Sequence, residues 1–194
     1  VLALLVGAAL IVRPPHISPF GMRPLARDVL ASGNPNPLVL VVGETRAEGA
    51  LIAAFAELDR GDIHYVLRGT QMLASGGFMA QGYATRYPDA AAVGQWLTTS
   101  GIGWLVLQTG PGAAVMAHDR QVERVIAASG LHPAATEGVP GAGAVLLYRL
   151  STTPPTPAQM AALLARVMPN MSAGQDQKNA SNRSSTAPGA SSAR

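Results

Sequence analysis

Two glutamates, Glu44 and Glu48, follow directly on the apolar run Leu38-Val39-Leu40-Val41-Val42-Gly43. In open α/β sheets the carboxyl ends of strands are where ligands are held. Two carboxylates placed there could hold a sugar hydroxyl or a cation, or serve a small enzyme. The spacing Thr45 to Glu48 has a plainer use, a capping box that satisfies the first turn of the next helix. Arg68 closes a second apolar run, and Arg86 stands between Tyr83 and Tyr87. A guanidinium so placed can grip a sugar or a lipid phosphate through its N–H fork, or it can stack on its neighbours as a surface cation. Glu44, Glu48, Arg68 and Arg86 are therefore the candidate ligand-binding residues. His118-Asp119 opens a helix, where a first-turn acid favours the positive helix end. A Ser-His-Asp hydrolase would need a nucleophile elbow such as G-x-S-x-G. Ala74-Ser75-Gly76-Gly77 is not that motif, and no residue is assigned a catalytic role.

Other chemistries are disfavoured by composition. The chain has no cysteine, which excludes disulfides, thiolate nucleophiles and Cys-based zinc sites. His16, His64, His118 and His132 show no metal-ligand spacing, so neither a metal nor a cofactor is expected. There is no G-x-G-x-x-G and no G-x-x-x-x-G-K-[ST], and the acidic side chains after Gly43 crowd the place a phosphate would take. The net charge of +3 comes from 14 Lys and Arg against 11 Asp and Glu, scattered along the chain. A nucleic-acid reader clusters its cations on one face with motif support, so no nucleic-acid partner is expected.

The elements that would position these residues follow from hydrophobic patterning. Leu38–Val42 reads as a strand buried on both faces. A helix from about Ala47 to Asp59 presents Leu51, Ala54, Phe55 and Leu58 on one side. Ile63–Arg68 is a second strand, and Gly69–Tyr87 is irregular. Asp89–Ser100 is a helix carrying Val93, Trp96 and Leu97, and Trp104–Leu107 is a third buried strand. Ala117–Ser129 is a helix with Val122, Val125 and Ile126 inward, and Ala144–Leu150 is a last strand, antiparallel at a sheet edge. This alternation predicts an α/β fold: a small, mainly parallel, Rossmann-like sheet of about four strands covered by helices in three layers.

The ends differ in kind. Val1–Val12 is apolar and closes on Arg13-Pro14-Pro15. Twelve helical residues rise roughly 18 Å, whereas a membrane crossing needs about 30 Å, so the run is expected to be the end of a transmembrane helix that begins upstream. Residues 13–37 are a Pro- and Gly-rich connector with a short helix from Pro24 to Ala31. Residues 38–150 form the α/β domain, and residues 151–171 a C-terminal helical segment. From Ser172 to Arg194 there is no Val, Ile, Leu, Met or aromatic residue, a composition expected to stay disordered.

One stretch resembles a known family. Val41-Val42-Gly43-Glu44-Thr45-Arg46-Ala47-Glu48-Gly49-Ala50-Leu51-Ile52-Ala53 is similar to the start of the C-terminal soluble domain of bacterial membrane glycosyltransferases. These are of the dolichyl-phosphate-mannose protein mannosyltransferase-like superfamily, family 39-like, with GT-C architecture. The similarity continues at Tyr65–Ser75, at Gly82-Tyr83 and at Gly103–Leu107, covering about residues 35 to 110. It implies a domain on the periplasmic side of the bacterial inner membrane, and a parent that uses a polyprenyl-phosphate sugar donor. In such parents the catalytic carboxylates lie in an early loop between membrane helices, to which nothing in this chain corresponds. The expected function is a non-catalytic soluble domain that caps the membrane part or helps bind the lipid-linked sugar or the acceptor. The alternative is a membrane-anchored α/β module that binds a ligand or a protein without transferase activity.

Overall fold

The computed structural model describes residues 21–76, 82–110, 116–139 and 143–167. The apolar run 1–12 and the tail 172–194 lie outside these residues. Among the described residues no helix is long and apolar enough to cross a membrane.

The elements are, in chain order, α1 (Met22–Ala31), β1 (Leu38–Val42), α2 (Thr45–Leu58), β2 (Tyr65–Arg68), α3 (Gly69–Met72), β3 (Ala74–Ser75), β4 (Ala84–Thr85), α4 (Ala90–Thr99), β5 (Trp104–Thr109), α5 (Ala117–Ser129), β6 (Ala135–Val139), β7 (Gly143–Arg149) and α6 (Pro157–Val167). The main sheet has the order β2-β1-β5-β7-β6. β1 pairs in parallel with β2 on one side and with β5 on the other, while β7 and β6 complete the sheet as an antiparallel pair. The fold is therefore α/β with helices on both faces. β1 lies inside the sheet and is buried along its whole length, so every side chain must be apolar, and every one is.

The two faces have separate cores. Val39, Val41, Trp104, Val106, Val145 and Leu147 pack against α1 and α2. Leu38, Leu40, Val42, Leu105, Leu107 and Tyr148 pack against α3, α4, α5 and α6. The alternation along each strand is the period-2 pleat, and the helices meet it with their 3.6-period stripes.

Four expectations need correction. The helix expected within the 13–37 connector is an integral layer, because Met22, Leu25, Ala26 and Val29 form a buried stripe on the core. The segment expected to be irregular holds α3 and the short antiparallel pair β3-β4. The sheet has five strands, because Ala135–Val139 pairs with β7 as a further strand, and β7 is therefore interior rather than an edge. Finally, no capping box joins Thr45 and Glu48. Glu44 is the residue before the helix, Thr45 is already helical, and no side chain caps this end.

The entry to β1 is fastened by one buried amide. Asn36 Nδ2 donates to Gly101 O at 2.9 Å and to Thr153 O at 2.6 Å, and Asn36 Oδ1 accepts the Leu38 N–H at 3.0 Å. Asn36 is fully buried, and a Cβ on Gly103 would stand 2.6 Å from its Cγ, so the site accepts only glycine there. Replacing Asn36 by Leu would strand the buried Leu38 N–H and take a donor from the Gly101 and Thr153 carbonyls. Each buried unpaired group costs about 1–3 kcal/mol. Asn36→Leu should thus lower unfolding free energy by about 3 kcal/mol in urea denaturation, against a change near zero for a surface substitution such as Arg60→Ala.

Candidate functional site

The carboxyl ends of β1, β2 and β5 carry the molecule's concentration of buried polar groups. Glu48, in the first turn of α2, is 0% exposed. Its Oε1 accepts the Thr70 N–H at 2.9 Å, and its Oε2 accepts Arg68 Nε–H at 2.9 Å and the Thr70 hydroxyl at 2.7 Å. Burial pushes the Glu48 pKa up, and the donors from Thr70 and Arg68 pull against it. Both oxygens are thus committed to tying α2 to the β2–α3 junction. Arg68 uses Nε for this contact and keeps its side chain 30% exposed at the sheet rim.

Glu44 lies one turn before Glu48 and is partly exposed. Its backbone N–H donates to Gln108 Oε1 at 3.1 Å. Gln108 follows the apolar part of β5, is 2% exposed, and its Nε2 has no partner among the described residues. Sequence reading missed Gln108. The available signal was a lone amide at the carboxyl end of an otherwise apolar strand.

The N-terminus of α5 completes the cluster from the opposite face of the sheet. His118 is 0% exposed. The Tyr83 hydroxyl accepts the His118 backbone N–H at 3.2 Å and lies 2.9 Å from Nδ1. A hydroxyl oxygen already accepting has its proton free to donate to Nδ1, which leaves the ring proton on Nε2. Nε2 stands 3.1 Å from Asp119 Oδ1, yet the angle between these adjacent residues gives neither atom a hydrogen bond. This is proximity and not an ion pair: burial lowers the His118 pKa and disfavours the charged ring, with the Glu48 charge opposing the shift. Asp119 Oδ2 accepts the Met116 N–H at 2.8 Å and so closes the first turn of α5, the helix-acid role expected of it.

Arg86 is not part of this cluster. It is exposed and donates to Gln71 O at 3.2 Å and Ala74 O at 2.7 Å, fastening the β3-β4 pair to α3. Tyr87 belongs to another contact, with Arg166 Nη1 donating to its hydroxyl at 2.6 Å. Of the four candidates, the structure brings together Glu44, Glu48 and Arg68. Among the described residues no three His, Asp or Glu side chains converge as a metal site. A cavity of about 480 Å³ opens at the other end of the sheet. It is lined by Leu97, Thr98, Ile102, Ile126, Leu150 and Gln159 among others and has no ionisable side chain, so the buried polar cluster is the better candidate for chemistry. Comparison with protein-family models, curated proteins and solved structures finds no match to this chain.

Burial, with the Glu123 charge adding to it and the Met116 N–H opposing, raises the Asp119 pKa to about 6 from an ordinary 3.8. The folded state therefore holds this proton more tightly than the unfolded chain. Its contribution to stability is full below pH 4 and is lost as pH rises to about 6. The difference in unfolding free energy between the parent chain and Asp119→Asn should change by on the order of 2–3 kcal/mol across that window, with Asp119→Asn the flatter of the two in urea titrations. Removing one partner of the Glu48 pair should also be asymmetric. Arg68→Met leaves a buried carboxylate without its cation and should cost about 3–5 kcal/mol. Glu48→Gln keeps a hydrogen-bonding group in place and should cost less in the same assay.

Proposed function

We propose that this chain is a non-catalytic soluble domain of a bacterial membrane glycosyltransferase. Its parent takes the sugar from a polyprenyl phosphate, and the domain stands on the extracytoplasmic side. It binds the lipid-linked sugar or the acceptor, or caps the membrane part, while the transfer chemistry lies in that part. The resemblance over residues 35 to 110 and the apolar run before Arg13 support this reading. The observation that carries its non-catalytic half is the state of Glu48. The carboxylate best placed at the strand ends has both oxygens engaged by Arg68 and Thr70, so it holds a cation in position instead of moving protons. The alternative, a membrane-anchored ligand- or protein-binding module without transferase activity, draws on the fact that the polar cluster is assembled from this chain's own elements.

Membranes carrying the full-length gene product should transfer sugar from a synthetic polyprenyl-phosphate donor, and the purified chain alone should not. Transfer by the isolated chain would remove the non-catalytic reading. An upstream coding region without several hydrophobic segments and an acidic loop would remove the membrane-transferase reading and leave the binding module.

A further inference from the structure

We propose that the crevice where β1 meets α2 is an oxyanion site, taking a phosphate or carboxylate group. This rests on the ligand-binding half of the function proposed above and is independent of the membrane half. β1 and β5 are neighbours from which the chain departs in opposite directions, to β2 on one side and toward β7 on the other. Such a switch in strand order opens a crevice at the carboxyl ends.

Donors gather at the start of α2. α2 is 14 residues long and its N-cap residue Glu44 makes no side-chain cap, so the Thr45, Arg46 and Ala47 N–H groups and the positive end of the helix dipole are available to an anion. The second observation is independent of the helix. Gln108 is 2% exposed, and its Oε1 is fixed by the Glu44 N–H at 3.1 Å. That bond settles which way round the amide lies at the start of α2 and leaves Nε2, a buried donor, without a partner among the described residues. An unpaired buried donor is unfavourable, and an anionic oxygen satisfies it. Third, the exposed Arg46 sits in the first turn of α2, the end of a helix where a cation is disfavoured. An anion bound between Arg46 and the helix end reverses that penalty. Arg68, oriented by Glu48, stands at the end of β2, the neighbour of β1 on its other side.

The acidic crowding after Gly43 does not oppose an anion as the sequence suggests. Glu48 is turned to Thr70 and neutralised by Arg68, which leaves Glu44 as the opposing charge on this turn. Gly43 lets the strand end approach Gln108: a Cβ there would fall 2.7 Å from Gln108 Cβ and 2.8 Å from Oε1.

The test is an NMR titration of the full 194-residue chain, in detergent, with inorganic phosphate, citronellyl phosphate and uridine diphosphate as probes. Phosphate should shift the Gln108 side-chain amide and the Thr45, Arg46 and Ala47 backbone amides. Gln108→Glu keeps the acceptor for the Glu44 N–H and replaces the donor by a charge, so it should weaken binding about tenfold or more. Glu44→Gln should tighten binding, and Arg23→Ala, on the far end of α1, should leave it unchanged. Tighter binding of citronellyl phosphate identifies a lipid phosphate as the source, and tighter binding of uridine diphosphate a nucleotide. Absence of shifts at these amides in the unsubstituted chain overturns the proposal, whatever the stability of the variants. So does unchanged affinity in a folded Gln108→Glu. Neither result touches the membrane reading, which is decided by the upstream coding region.

Discussion

A carboxylate sealed from water at the carboxyl ends of β1, β2 and β5 must be matched by donors from its own chain. The cost of an ionised group without partners in such a place is several kcal/mol. Glu48 meets this requirement with Arg68 and with both donors of Thr70, and much of the surrounding geometry follows. β2 has to end on an arginine. The backbone has to turn at once into α3 so that the Thr70 N–H points back. The Glu48 carboxylate has to leave its own helix terminus, which the side chain of the N-cap residue Glu44 does not cap either. A contact that looks like local helix chemistry is thus a long-range tie between α2 and the neighbouring strand.

This also explains which parts could be read from the sequence. β1, β5 and α5 are legible because burial on both faces forces continuous apolar runs, and burial on one face forces a helical stripe. β6 is not, since Ala135-Thr136-Glu137-Gly138-Val139 is an edge strand with one neighbour, and its pattern is half polar with a glycine. The site was legible as a location but not as a set of roles. Glu44, Glu48 and Arg68 stand at the strand ends where a reading of buried strands places them. The role of Glu48 depends on a partner 22 residues away, while the local spacing to Thr45 offered a competing and incorrect account. His118 likewise depends on Tyr83, 35 residues distant, and no periodicity reports such a pair.

The two ends of the sheet are organised by different physics. At the amino ends of the parallel strands, Asn36 engages both Nδ2 protons and Oδ1 within the chain, which makes that end a fastening. At the carboxyl ends, Gln108 Nε2, His118 Nε2 and Asp119 Oδ1 remain without hydrogen bonds among the described residues. Native structures hold few such buried groups, and apart from Trp104 Nε1, at the start of β5, they gather toward the carboxyl ends. The hydrogen-bonding capacity left over coincides with the end where α2 begins without a side-chain cap from its N-cap residue.

The interior position of β1 has a consequence for how the chain reaches this state. Both neighbours of β1 come later in sequence, and one of the pairings joins Val39 to Trp104. A nascent chain that has produced β1, α2 and β2 has paired only one side of a strand whose every side chain is apolar. Its other edge stays open until β5 arrives. Closing such a loop takes place before the contacts that reward it, which slows folding in domains built from non-local pairings. During that interval β1 is an unpaired hydrophobic edge, the kind of surface that favours association between incomplete chains. The early α1 can cover the face that carries Val39 and Val41, but it leaves the hydrogen-bonding edge open. The arrangement that buries β1 most completely in the finished domain is the one that leaves it exposed longest while the domain is being made.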